Sequence, residues 1–144
     1  MSRRLLVSIH LYLAAFFAPM VIIMAVSGGL YLLGVKGQMQ SAELGFVSGL
    51  KLDAESPTLF DDVDAALLGL GVEANFEYVK GKGSEFSTRP SSREHYRLSQ
   101  RADGVAVSVV SPSLQGAVME LHKGHGPSWY KQFQTAFALG LIFI

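Results

Sequence analysis

Residues 5–35 read LLVSIHLYLAAFFAPMVIIMAVSGGLYLLGV, a run without Asp, Glu, Lys or Arg that follows directly on Arg3-Arg4. A helix that crosses a hydrocarbon core of about 30 Å needs about 20 apolar residues. The run is long enough to span with tilt and some interfacial overhang. A cleaved signal peptide is the chief rival, because Arg3-Arg4 could be its charged region and Ala25-Val26-Ser27 has small residues at the spacing of a cleavage site. Signal h-regions run about 7 to 15 residues, however, and here the apolar character continues past that site as Leu30-Tyr31-Leu32-Leu33. The expectation is a cytoplasmic N-terminus over residues 1–4 and an uncleaved transmembrane helix over residues 5–35. After it come 10 Lys/Arg and 12 Asp/Glu. The positive-inside rule then places the chain in the cytoplasmic (inner) membrane with residues 36–128 on the exported side.

A second apolar segment starts at Trp129, and from Phe133 to Ile144 only Gln134 and Thr135 interrupt it. Those last residues reach roughly 18 Å as a helix. Ending inside a bilayer would strand a carboxylate and unpaired carbonyls at several kcal/mol per group. Residues 129–144 are therefore expected to begin a second transmembrane helix of a longer protein. Ser128-Trp129-Tyr130-Lys131, preceded by Pro127, suits a helix start at headgroup level. The lipid bilayer and further transmembrane helices, from the missing C-terminal part or another copy, are the expected partners.

The about 93 residues between the apolar segments suffice for one small domain. Zero formal net charge and a mildly acidic exported part exclude a nucleic-acid footprint. The absence of Cys excludes disulfides, thiolate metal sites and Cys nucleophiles. Leu59, Phe60, Val63, Leu67 and Leu70 recur at helical spacing and predict a helix from Pro57 to Leu70, with Ser56 as cap and Gly71 as stop. Asp61, Asp62 and Asp64 complement its dipole. Beyond Gly71 the period becomes two: Phe76 and Tyr78, Phe86, Tyr96 and Leu98, then Val105 to Val110, separated by Gly81-Lys82-Gly83, Pro90-Ser91-Ser92 and Asp103-Gly104. The fold class is an α+β membrane protein, its exported module one helix packed on a 3-4-stranded antiparallel sheet. The expected core comprises Phe60, Val63, Leu67, Phe76, Tyr78, Phe86, Tyr96, Leu98, Val105, Val107 and Val109.

This order of elements resembles the PepSY-containing transmembrane proteins. Matching residues are Ile9-His10-Leu11 and Ser27-Gly28 in the first span, Ser111-Pro112-Ser113-Leu114-Gln115-Gly116-Ala117-Val118 closing the module, and Leu121-His122 before the second span. Where the family usually has Asp-Pro-x-Thr-Gly-x-Val, this chain keeps Pro112, Gly116 and Val118 but has Ser111 for the Asp and Gln115 for the Thr. The resemblance implies a juxtamembrane linker over residues 36–51, a PepSY-like module over 52–118 and a His-containing interfacial segment over 119–128.

The histidines are the candidate chemistry. His95, among Arg93, Glu94 and Arg97, reads as a solvated or cross-strand side chain. His10 is the one ionisable group within the first span, and such groups usually face a bundle interior. It shares a helix face with Ala14, Ala18, Ala25, Gly28 and Gly29, whose small-x-x-x-small spacings allow close helix packing. A buried hydrogen bond and an axial haem ligand are the two readings of His10. His122 and His125 would share a face, and a metal, if their segment were helical, although Gly124, Gly126 and Pro127 oppose that. His10 and His122 stand most of a bilayer apart, so they cannot bracket one haem.

Two function classes follow. PepSY domains resemble inhibitory propeptide segments of secreted metallopeptidases, which implies an anchored module that binds a peptide or restrains an envelope protease. Larger relatives resemble membrane reductases of ferric siderophores, which implies haem b held by His10, His122 or His125 and a role in iron uptake. No catalytic constellation is present, and Gly81-x-Gly83 lacks the following helix that a nucleotide site needs.

Overall fold

The computed structural model describes residues 2–142; Met1, Phe143 and Ile144, which belong to the expected N-terminus and second span, lie outside the described residues. The apolar run forms one helix, α1 (Arg3–Leu32), with the Ser2 hydroxyl accepting from the Leu5 N–H at its start. Its most apolar window has a mean hydropathy of 2.2, and among the described residues it is the one helix long and apolar enough to cross a membrane.

The alternating segments form β2 (Tyr78–Lys82), β3 (Glu85–Arg89), β4 (His95–Arg101) and β5 (Gly104–Pro112), preceded by β1 (Met39–Ser48) and α2 (Leu59–Gly69). The sheet is antiparallel throughout, in the order β1-β5-β4-β3-β2. The sheet thus has five strands where 3-4 were expected. The missing strand lies in the presumed linker 36–51. Its sequence, MQSAELGFVS, has no clean alternation, and a bulge between Glu43 and Gly45 breaks the register. Long-range pairing with β5, from Met39 against Pro112 to Ser48 against Gly104, makes it a strand.

On one sheet face α2 places Leu59, Val63 and Leu67 against Phe76, Phe86, Leu98, Val105 and Val107. The helix begins at Leu59, two residues later than expected, with Thr58 as cap residue. Leu59 therefore takes the inward place, and Phe60 stays 41% exposed at the rim, its ring 4.5 Å from that of Phe76. Tyr78, Tyr96 and Val109 are half-buried, and Val110, on the opposite face, is the buried valine near the end of β5.

That opposite face meets α3 (Leu114–His122), which the sequence reading did not foresee. Ser113 caps it by accepting from the Gly116 N–H. The helix is strapped to the chain leaving α1: the Gln115 side-chain amide donates to the Val35 carbonyl at 3.2 Å and the Ser113 N–H to the Gln38 carbonyl at 2.9 Å. Backbones touch at Gly37 and Gly116, where a Cβ on Gly37 would stand 2.3 Å from the Gly116 nitrogen. Gly37 also has φ +77°, a conformation that glycine adopts freely.

The last helix, α4 (Ser128–Ile142), starts on the module: the Glu77 carboxylate accepts from the Ser128 N–H at 2.9 Å, and Lys131 Nζ donates to the Tyr78 hydroxyl at 2.7 Å. It runs back along α1, Tyr130 meeting Met20 and Phe137 meeting Phe17 with ring centroids 5.3 Å apart. Gly140 makes room for that contact, since a Cβ there would lie 2.5 Å from the Phe17 ring.

The fragment 36–126, which keeps β1 and α3, is expected to unfold cooperatively in urea. Leu67→Ala should destabilise it by about 2–5 kcal/mol, because Leu67 is fully buried between α2 and the sheet. A cost below about 0.5 kcal/mol would contradict the packing of α2 on the sheet, a loss too small for a core Leu.

Candidate functional site

Alternation along β3 and β4 sends Ser87 and Arg89, with His95 and Arg97, to the sheet face opposite α2. There α3 brings Glu120 against the turn after β3. Glu120 is 8% exposed, and a buried carboxylate stays charged only if donors replace its water. It accepts from the Ser91 hydroxyl at 2.6 Å, from His125 Nδ1 at 2.8 Å and from Lys123 Nζ at 3.1 Å, with Arg89 Nη1 at 3.7 Å. Ser91 in turn accepts from Arg89 Nη1. Backbone bonds close the cluster: the His125 N–H donates to the Glu120 carbonyl and the Ser91 N–H to the His125 carbonyl.

Burial by itself would raise the Glu120 pKa. The hydrogen bonds from Ser91, His125 and Lys123 and the Lys123 charge outweigh it and hold the carboxyl at about 2. His95, 6% exposed, is pushed the other way: burial lowers its pKa, so it is held neutral. Its Nδ1 lies 3.0 Å from the Arg93 carbonyl, which can only accept, so Nδ1 carries the hydrogen. Of the two readings of His95, solvated and cross-strand, the solvated one is corrected: the side chain is buried, on a strand residue paired with Val110.

Around Glu120 opens a cavity of about 430 Å³ whose lining includes Lys36, Arg89, Arg97, Lys123, His95 and His125. Glu120 is its one acidic side chain. Arg89 has little else to bind, and its Nε is buried without a partner. A second cleft, of about 510 Å³, adjoins it at Lys123 and is otherwise lined by Gly28, Tyr31, Leu32, Met119 and His122.

His122 and His125 do not share a ligand position. The helix ends at His122, Lys123 is its cap and Gly124 turns with φ +76°, so the two rings part. His125 goes to Glu120, whereas His122 reaches α1, its Nδ1 2.8 Å from Ser27 Oγ. Ser27 donates its own hydrogen to the Met24 carbonyl at 3.1 Å, so the His122 Nδ1–H is the donor between them and Nε2 keeps a free lone pair. The ring also lies against Gly28, where a Cβ would stand 3.5 Å from it, in ordinary contact.

His10 is exposed and roughly 27 Å below Gly28 on α1 at 1.5 Å per residue. Ala14 and Ala18 are half-buried and line a groove with Phe17, Val21, Ile22 and Leu141. Ala25 is exposed and nothing lies within 4 Å of a Cβ on Gly29, so the contact of α4 with α1 runs instead through Leu13, Phe17, Met20 and Met24. Among the described residues no three His, Asp or Glu side chains converge as a metal centre would require.

Sequence reasoning missed Glu120, Arg89 and Ser91. The one available signal was Glu120 standing alone among Val118, Met119 and Leu121, a charge on an otherwise apolar stretch. Family models, curated proteins and solved structures compared with the chain give no match.

Because Glu120 titrates at about 2 when folded against 4.5 ordinarily, its stabilisation is complete above pH 4.5 and is lost as pH falls toward 2. Urea midpoints of the 36–126 fragment should therefore fall over that interval, and Glu120→Gln should flatten the decline while lowering stability at pH 7. Parallel pH profiles for both proteins would contradict the assignment.

Proposed function

We propose that the chain is a membrane-anchored protein of PepSY type whose exported module has a binding or regulatory role in the cell envelope, holding its ligand or partner at the polar cavity around Glu120. The observation that carries this reading is the lining itself: four permanent cations and two histidines face a single carboxylate whose own charge is already satisfied. Such a cavity is suited to an anionic group, a peptide carboxylate included. Anchoring by α1 is supported by its surface. Only 11% of its most apolar window is buried within the chain, and Leu11, Tyr12, Phe16, Ile22 and Leu32 are all exposed, an arrangement suited to lipid and costly in water.

A second reading, a haem-bearing electron-transfer subunit of ferric reductase type, draws on one observation. His122 is oriented through Nδ1 by Ser27 and leaves Nε2 free beside a mostly apolar cleft, the arrangement in which a ligating imidazole is commonly held. His10 would require a partner on another helix.

Two measurements test these readings. Alkaline phosphatase fused after Gly104 should be active, and silence there with activity from a cytoplasmic reporter would overturn the topology. The complete protein purified from haem-replete cells should be colourless on the binding reading. A Soret band that His10→Ala or His122→Ala diminishes would replace it with the redox reading.

A further inference from the structure

The two cavities at the junction of α1 and α3 differ in chemistry and meet at one side chain, Lys123. The polar one holds Lys36, Arg89, Arg97 and Lys123 against the single charge of Glu120, so it carries an excess of positive charge without a protein counter-ion. The other presents Gly28, Tyr31, Leu32 and Met119 beside the last turns of α1. Lys36 follows the end of α1 by only a few residues, so the basic chamber sits where the apolar helix gives way to the module. A soluble anion would use the first chamber and leave the second idle. A molecule with an anionic head and an apolar tail fills both.

We infer that this junction is a binding site for an anionic phospholipid of the outer leaflet, its phosphate among Lys36, Arg89, Arg97 and Lys123 and its acyl chain along Gly28, Tyr31, Leu32 and Met119. The inference rests on the membrane-anchored reading above. Arg89 suits the phosphate because it spends one hydrogen bond on Ser91 and has most of its donors uncommitted. Lys123 marks the boundary between head and tail, its stem against the apolar cleft and its ammonium beside Glu120. Glu120, tied to Ser91 and His125, keeps α3 in place and offsets only one of the four positive charges. Binding is therefore by charge at the headgroup and by area along the tail, and a zwitterionic lipid loses the first contribution.

The test uses the full chain. Retention in carbonate-washed membranes is checked first, since release there would sink the anchoring reading separately from the site. Protein in mild detergent is then titrated with phosphatidylglycerol, phosphatidylcholine or glycerol 3-phosphate while its melting temperature is followed. Phosphatidylglycerol should raise the melting temperature at concentrations where the other two do not. Lys36→Gln with Arg97→Gln, both exposed side chains whose loss leaves the core intact, should raise the phosphatidylglycerol concentration needed for the same rise about thirty-fold, from about 1 kcal/mol per basic residue. Lys51→Gln with Arg101→Gln, exposed cations away from the chamber, should leave it unchanged. Equal responses to phosphatidylcholine, or equal weakening by both variant pairs, would overturn the site. Glycerol 3-phosphate acting as strongly as the lipid would overturn the lipid and leave a site for a free anion.

Discussion

A carboxylate buried on α3 imposes the geometry of the junction. Glu120 loses most of its water on folding, and its charge survives because donors converge from three directions: Ser91 from the turn after β3, Lys123 from its own helix end and His125 from the loop toward α4. Removing any of these leaves a buried charge short of partners, which costs more than the bond itself contributes. The helix therefore has one place to sit. From that placement follow the contact of Gly116 with Gly37, the reach of His122 to Ser27 and the two chambers that open on either side of Lys123.

The same placement separates two histidines that stand three residues apart in sequence. His125 turns toward the sheet and becomes part of the carboxylate cluster, while His122 turns toward α1 and binds a hydroxyl. One serves to hold α3 and the other joins α3 to the apolar helix. His95 lines the polar chamber, and its burial disfavours its charged form.

What was legible in the sequence was what local pattern determines. The uncharged run gave α1, the spacing of Leu59, Val63 and Leu67 gave α2, and alternation around Gly83 and Gly104 gave β2 to β5. β1 was hidden because edge pairing with β5, not its own composition, makes it a strand. α3 was hidden because a nine-residue helix containing Gly116 owes its stability to Ser113 at its cap and to tertiary contacts rather than to propensity. The site depends on exactly those two unforeseen features. Glu120 meets Arg89 and Ser91 across about thirty positions of sequence, a proximity that no spacing rule encodes. His122 with Ser27 and Gly28 was visible only as separate motifs, and the fold brings them into contact.

If Glu120 is the group that positions α3, its energetic coupling to the turn after β3 is the quantity to measure. A double-mutant cycle between Glu120→Gln and Ser91→Ala, read from urea unfolding of the 36–126 fragment at pH 7, isolates that coupling. The account predicts an interaction of about 0.5–3 kcal/mol, as for residues sharing a buried network. Additivity within about 0.3 kcal/mol would mean that Glu120 and the turn act independently and that something else holds the junction together.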